Sequence, residues 1–400
     1  LYNFSVSMRV TMLSPSLSRD AGGIFEIERS LSQALFALPD VEVDVLGLWD
    51  EHTEADRASW RPLSPTAVRI RGPRAFGYGP NLMDVLRSQN PDLVHLHALW
   101  MYTSVATLRW SQQTGRPHLV TINGMLDPWA INNSGWKKKL AGWAYEHANL
   151  REAACLQVNT EDELQSVREY GIDMPACIIP NGVELPDTST DHSPPWDDVI
   201  APESNVLLFL GRLHPKKGLS ELFVAWNQWR SNSPAAASNW DLAVIGWDDG
   251  KHKKRLQQEV RDAGIDESVH FLGPRFGEEK AAAFANADAF ILPSYSEGFP
   301  MAVLEAWSYR LPVLKTAACN IPEGFSEGAA YRVDPQADSI AIGLNDLLTC
   351  SAEERQSMGE RGRTLVENRF TWNQVARSMR SVYRWMLGDA PAPDCVVFSN

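Results

Sequence analysis

The chain has 400 residues, 44% hydrophobic and 22% charged, with a formal net charge of −13. That length and apolar content predict a globular protein of two domains or more and exclude a disordered one. The acidic balance excludes a general nucleic-acid binder, which needs a basic face, and no apolar run reaches membrane-spanning length.

The opening Leu1–Val10 segment lacks a charged start followed by a long apolar core, so no secretory leader is expected. Arg9–Ser14 predicts a short strand, and a loop ending in Ala21-Gly22-Gly23 leads to a helix from about Ile24 to Leu38. Strand, glycine turn and helix bring backbone close to a phosphate, although no GxGxxG fingerprint is present. The competing reading is a glycine turn with no ligand.

Val43–Leu48, Val68–Arg71, Leu93–His97, Leu119–Ile122 and Leu156–Asn159 predict further short strands, several separated by helical stretches. That alternation implies α/β architecture with a parallel sheet covered on both faces. Ligands in such sheets bind beyond the carboxyl ends of the strands. His97 and Asn123 fall at two such ends and are candidate sugar or acceptor contacts, with a purely structural histidine as the alternative. The loop Asn123–Trp129 is apolar enough to border a substrate cleft. Trp136, Leu140 and Trp143 share one helical face beside Lys137, Lys138 and Lys139. The expectation is a core-packed face with solvated lysines rather than a membrane contact or anion site.

Pro186–Pro202, rich in Pro, Asp, Ser and Thr, reads as a linker between a first domain at 1–185 and a second from 202. Strands at Val206–Leu210, Leu242–Ile245, Val269–Leu272, Ala289–Leu292 and Val313–Thr316 follow, then helices at about 337–349, 353–366 and 372–387 and a loose tail at 389–400. The five cysteines, Cys155, Cys177, Cys319, Cys350 and Cys395, are odd in number and lack metal-ligand spacing. Reduced thiols in a cytoplasmic protein are expected.

Two stretches of this second series carry chemistry. Leu210–Gly218 follows a strand and opens a helix, presenting Arg212 as a bidentate phosphate fork and Lys217 as a mobile point charge. Leu292–Trp307 reads as a strand end, a polar loop and a helix whose first turn holds Pro300. Its unpaired N–H groups and positive dipole end make an anion site, with the carboxylates of Glu297 and Glu305 beside it. Spacing alone does not decide this, since Glu161/Glu169 and Glu259/Glu267 repeat it on charged surface.

Gly211-Arg212-Leu213 with Lys217-Gly218, and Glu297-Gly298-Phe299-Pro300-Met301 running to Glu305, resemble the retaining nucleotide-sugar glycosyltransferases of family 4. Gly22-Gly23, Pro180-Asn181-Gly182-Val183 and Leu311-Pro312-Val313 support the likeness, which runs through nearly the whole chain. The resemblance implies the GT-B fold: two Rossmann-like domains facing a cleft, the second at 202–370, with the final helix, 371–388, crossing back onto the first. It implies that Arg212 and Lys217 hold the donor diphosphate. Glu305 would bind the ribose and Glu297 the transferred sugar. Gly22 and Gly23 would reach the diphosphate from the first domain, and Gly273-Pro274-Arg275 would present backbone to the base. Relatives often carry His before Gly at Asn123-Gly124, and glycine at Pro300 and Arg310. Asn accepts and donates hydrogen bonds but is neither acid nor base near neutrality.

The implied donor is a nucleotide hexose, UDP-linked, serving as co-substrate with no cofactor or metal required; Asp248-Asp249 lies outside the matched motifs. The implied acceptor is a glycan, a lipid-linked sugar or another hydroxyl in polysaccharide or glycoconjugate synthesis. The protein is expected in the cytoplasm or weakly at the inner membrane face. Two alternatives remain: a nucleotide-sugar epimerase of the same fold, and a non-catalytic two-domain sugar-binding protein, which has no need of a diphosphate clamp.

Overall fold

The computed structural model describes residues 7–127, 131, 135–187, 193–248 and 252–399, with backbone only at 135–137. Pro128 and Trp129, part of the linker stretch, Asp249, the start of the chain and the side chains of Trp136 and Lys137 therefore lie outside the described residues.

The chain forms two compact units, Leu1–Gly182 with Trp372–Asn400, and Val183–Thr371. Each is built on a parallel sheet. The first sheet has the order β14-β7-β6-β5-β4-β1-β2-β3. Its strands are β1 Met8–Ser14, β2 Val41–Leu48, β3 Thr66–Val68, β4 Leu93–Leu96, β5 His118–Thr121, β6 Cys155–Val158, β7 Ala176–Ile178 and, from the C-terminal end, β14 Val396–Val397. The second sheet comprises β8 Asn205–Leu210, β9 Trp240–Ile245, β10 Val269–Gly273, β11 Ala289–Leu292, β12 Val313–Thr316 and β13 Ala330–Val333, in the order β10-β9-β8-β11-β12-β13.

The near-continuous apolar strands follow from this plan, because helices cover both faces of a parallel sheet. Alternate side chains of β1 point to opposite cores. Val10 and Met12 pack with the helix Gly23–Phe36 and the C-terminal helix Trp372–Met386, while Leu13 joins Leu46, Leu96 and Val120 on the other face. The C-terminal helix is part of the first unit. Its Tyr383 is fully buried and its hydroxyl lies 2.7 Å from His95 Nδ1, whose Nε2 is 2.6 Å from Thr121 Oγ1. The second unit is one continuous core holding Trp226, Trp229 and Trp307.

The structure differs from the sequence expectations in three places. The tail after Gly388 is not loose throughout: Val396 and Val397 pair antiparallel with β7 and give that edge strand a partner. Part of the linker stretch is packed, with Trp196 and Ile200 at 4% and 5% exposure in the second core. The third strand lies at Thr66–Val68 rather than Val68–Arg71. Arg69 instead lays its guanidinium over the Trp49 ring, 5.0 Å from the centroid. All five cysteines are unpaired.

Candidate active site

Strands β8 and β11 are direct neighbours in the second sheet. The loops that leave their carboxyl ends therefore emerge side by side, bringing Arg212 and Lys217 to the same edge as Glu297. The first loop turns sharply. Pro215–Lys217 forms a single 3₁₀ turn capped by the His214 side chain, and Gly218 closes it at φ +68° before the helix Leu219–Asn232. A Cβ on Gly218 would stand 2.2 Å from the Pro293 carbonyl oxygen, so this position admits only glycine. The two loops are stitched by the Tyr295 N–H, which donates to the Lys216 carbonyl at 2.8 Å.

This packing places Lys217 Nζ 2.5 Å from Glu297 Oε1, both side chains largely buried at 15% and 12% exposure. Lys217 is thus a fixed charge and not the mobile one its sequence context suggests. The Ser294 hydroxyl donates to the same carboxylate oxygen. Asn320 Nδ2 holds the Glu297 and Gly298 carbonyls at 2.8 and 3.2 Å. Lys217 carries three N–H donors, and one is taken by Glu297.

Pro300 is the N-cap residue of the helix Met301–Ser308, one position earlier than a first-turn proline. No side chain caps this helix, so its mouth keeps donors and dipole for an anion. Gly298 is exposed beside it, and Phe299 packs on Phe370 with ring centroids 6.1 Å apart. Glu305, one turn inside the helix, is held by Lys280 at 2.6 Å. Lys280 comes from the helix Gly277–Asn286, which follows Gly273-Pro274-Arg275. Gly273 adopts φ +74°, and its carbonyl accepts from the Gly246 N–H at 3.0 Å. Pro274 is exposed, and Arg275 is half-buried. Two exposed aromatics, Trp247 and Phe276, flank this turn with ring centroids 6.3 Å apart. Arg212 is exposed at the end of β8. Asp248 caps the helix His252–Asp262, accepting from the His252 N–H at 2.7 Å.

The remaining candidates lie in the first unit. Gly22, at φ +57°, is the N-cap residue of the helix Gly23–Phe36; both glycines are exposed, and no side chain caps the helix. His97 is fully buried, neither ring nitrogen has a hydrogen-bond partner among the described residues, and burial pushes its pKa down to about 3. It is a neutral imidazole. Asn123 sits at φ +50° with both side-chain polar atoms buried and unpartnered. Unsatisfied polar groups of this kind at strand ends suit sugar hydroxyls. The Asn123–Gly124 turn is pinned by Glu163, which accepts from the Gly124 and Asn159 N–H groups; burial raises its pKa.

The structure overturns one expectation. On the helix Gly135–Ala141 and its continuation, Leu140 is 59% exposed and Trp143 84% exposed, so these two residues are not packed in a core. The buried side belongs to Glu146 and Tyr145, which bind the Trp100 backbone N–H and carbonyl at 2.5 and 2.7 Å.

Lys280, Asn320 and Glu163 were not singled out by the sequence, since the fold brings them in from other segments; Ser294, in the same loop as Glu297, was passed over because a loop serine carries no signal of its own. Trp247 and Phe276 were also passed over, although each aromatic stands next to a turn glycine, a signal that could have marked them.

Residues 9–182 match the family model described as a glycosyl transferase 4-like domain, and residues 195–365 match that described as glycosyl transferases group 1. A D-inositol 3-phosphate glycosyltransferase of Paenarthrobacter aurescens (strain TC1) is 25% identical over 95% of this chain and 97% of its own. Sucrose-phosphate synthase from Thermosynechococcus elongatus superposes with TM-score 0.70 at 20% identity, covering 96% of this chain and 100% of that one. HepE from Anabaena, solved with UDP and with UDP-glucose, superposes with TM-scores of 0.73 and 0.70 at 16% identity, covering 94% and 100%. Two Rossmann-like units, each matched by one of the two transferase models, place this chain in glycosyltransferase family 4, with the GT-B fold.

Proposed function

We propose that the protein is a retaining hexosyltransferase that uses a UDP-linked sugar and transfers the hexose to a hydroxyl of a glycan or lipid-linked acceptor. The observation that carries this reading is the Lys217–Glu297 pair beside Arg212 and the uncapped mouth at Pro300, on adjacent strand ends. Sugar binding alone needs no such concentration of phosphate donors. The UDP and UDP-glucose complexes of HepE support the choice of base. The cytoplasm, where the five thiols stay reduced, is the proposed location.

In the proposed mechanism the anomeric carbon–oxygen bond breaks and charge grows on the diphosphate. Arg212, Lys217 and the helix N–H groups are preorganised to stabilise that leaving group. Glu297 holds Lys217 and faces the sugar, where positive charge develops. The acceptor hydroxyl bonds to the anomeric carbon on the face just vacated, and its proton passes to the leaving phosphate oxygen, so configuration is kept. Glu305, oriented by Lys280, accepts from the ribose hydroxyls.

The test is a screen of nucleotide sugars for hydrolysis and for transfer to candidate acceptors, with the anomer of the product read by NMR. Release of nucleoside diphosphate should rise when the acceptor is added; an epimerase or a binding protein gives no such rise. Arg212→Ala should weaken donor binding about 10–100-fold, the loss of roughly 1.5–3 kcal/mol from one charge-assisted contact. Unchanged affinity and turnover in that variant would remove Arg212 from the clamp.

A further inference from the structure

The exposed face that Leu140 and Trp143 form lies outside the proposed donor machinery. Leu140, Trp143, Ala144 and Ala148 recur at helical spacing, all exposed, with Lys139 exposed beside them. Trp143, at 84% exposure, leaves a large amphipathic ring in water. The opposite side of the same helical run is tied down. Tyr145 and Glu146 grip the Trp100 backbone, Asn149 Nδ2 donates to Glu146, and His147 Nε2 meets the Tyr170 hydroxyl at 2.9 Å. The apolar face is therefore presented by an ordered support and is not a frayed end.

Charge selects the occupant. Residues 135–145 contain three lysines and no acid, in a chain whose formal net charge is −13. A generally acidic molecule is repelled by an anionic surface except where a local basic patch faces it. A Leu and a Trp that follow a lysine run, with Lys139 exposed beside them, suit the headgroup boundary, where an indole sits with its body in the acyl region and a lysine meets lipid phosphate. We infer that this face docks the protein onto a bilayer containing anionic lipid. The inference stands without the donor assignment above, and it would bring the protein to the surface where lipid-linked acceptors reside.

The full chain is mixed with vesicles of phosphatidylcholine alone or with added phosphatidylglycerol and sedimented. Binding should appear only with phosphatidylglycerol, and should weaken as salt rises. Trp143→Ser with Leu140→Ser should reduce it at least tenfold, and Lys139→Gln about fivefold, the factor expected for one juxtamembrane lysine. All three changes are on exposed positions, and circular dichroism checks that the variants fold. Vesicle-free nucleotide-sugar hydrolysis should be unchanged in these variants, which keeps a failure of docking distinct from a failure of the donor reading. No binding to anionic vesicles, or equal binding by Trp143→Ser/Leu140→Ser, overturns the inference. So does a dimer in sedimentation velocity that the double variant abolishes, because the face would then be covered by a second copy.

Discussion

At the residue scale, pairing decides what each charged group offers. Glu297 and Glu305 each already hold a lysine, Lys217 at 2.5 Å and Lys280 at 2.6 Å. Only an interaction that strengthens in the transition state raises turnover. Glu297→Gln should therefore mainly lower kcat, while Glu305→Gln should mainly raise the donor KM. Calorimetry with free nucleoside diphosphate separates the two: affinity drops for Glu305→Gln and holds for Glu297→Gln, and the reverse pattern would refute the division. That the Arg212-to-Gly218 loop and the Glu297-to-Glu305 stretch meet at one sheet edge was readable, and the Lys217–Glu297 pair shows them together there. Lys280 was not, because a sequence does not state which helix a carboxylate will meet across a fold. A different residue sets a pH dependence. Glu28 is fully buried, and desolvation, only partly offset by the nearby Ser14 hydroxyl, pushes its pKa up to about 8 from 4.5. Between those values the folded chain keeps a proton that the unfolded chain has lost. Its contribution to stability is therefore present below about pH 4.5 and is lost as pH rises through about 8. Glu28→Gln should be nearly neutral at pH 4.5 and stabilising by roughly 2–4 kcal/mol at pH 8. Urea unfolding at the two pH values checks this, and an equal effect at both would point to packing rather than titration.

At the element scale, several helix ends in the second unit adopt left-handed backbone, and Gly218 and Arg310 show what glycine and a non-glycine residue do there. Gly218 precedes Leu219–Asn232 at φ +68°, with the Pro293 carbonyl 2.2 Å from where a Cβ would stand. Gly218→Ala should cost about 2–4 kcal/mol through strain and displacement of the β11 loop, and donor affinity should fall with it. Arg310 follows Met301–Ser308 at φ +61°, a conformation that favours glycine. Its exposed pair with Glu360 at 3.0 Å is worth little. Arg310→Gly should therefore stabilise by about 0.5–1 kcal/mol, relief of left-handed strain exceeding the lost pair; a lowered melting temperature would contradict this. Element legibility followed burial. Strands with apolar runs, such as Ala289–Leu292 and Leu119–Ile122, were plain, the second being observed at His118–Thr121. Ala176–Ile178 and Ala330–Val333 were not identified: they are three or four residues long, lie toward sheet edges and mix in polar or half-buried positions.

At the scale of the whole molecule, the two-unit α/β plan was legible because the strand–helix rhythm breaks and restarts. The exact division was less so, since Trp196 and Ile200 join the second core from within a stretch of loop composition. The chain passes from the first unit to the second at 182–183 and returns at 371–372. Val183 and Thr371 are bridged there, the Val183 N–H donating to the Phe370 carbonyl at 2.7 Å. The second unit is thus continuous in sequence, and the first is not. Produced alone, Val183–Thr371 should unfold in one cooperative transition. Residues 1–182 alone should be protease-sensitive, because the helix bearing Val375, Met379, Val382 and Tyr383 is missing from their core. Equal resistance of both fragments would refute this. The same connectivity bears on biosynthesis. A ribosome delivers the first unit's sheet early but its closing helix near the end, so that sheet must wait through nearly two hundred residues of translation with one apolar face covered only in part, by the helix Gly23–Phe36. The second unit, finished earlier, is the one that can close first, and the nascent N-terminal half is where a chaperone would be needed.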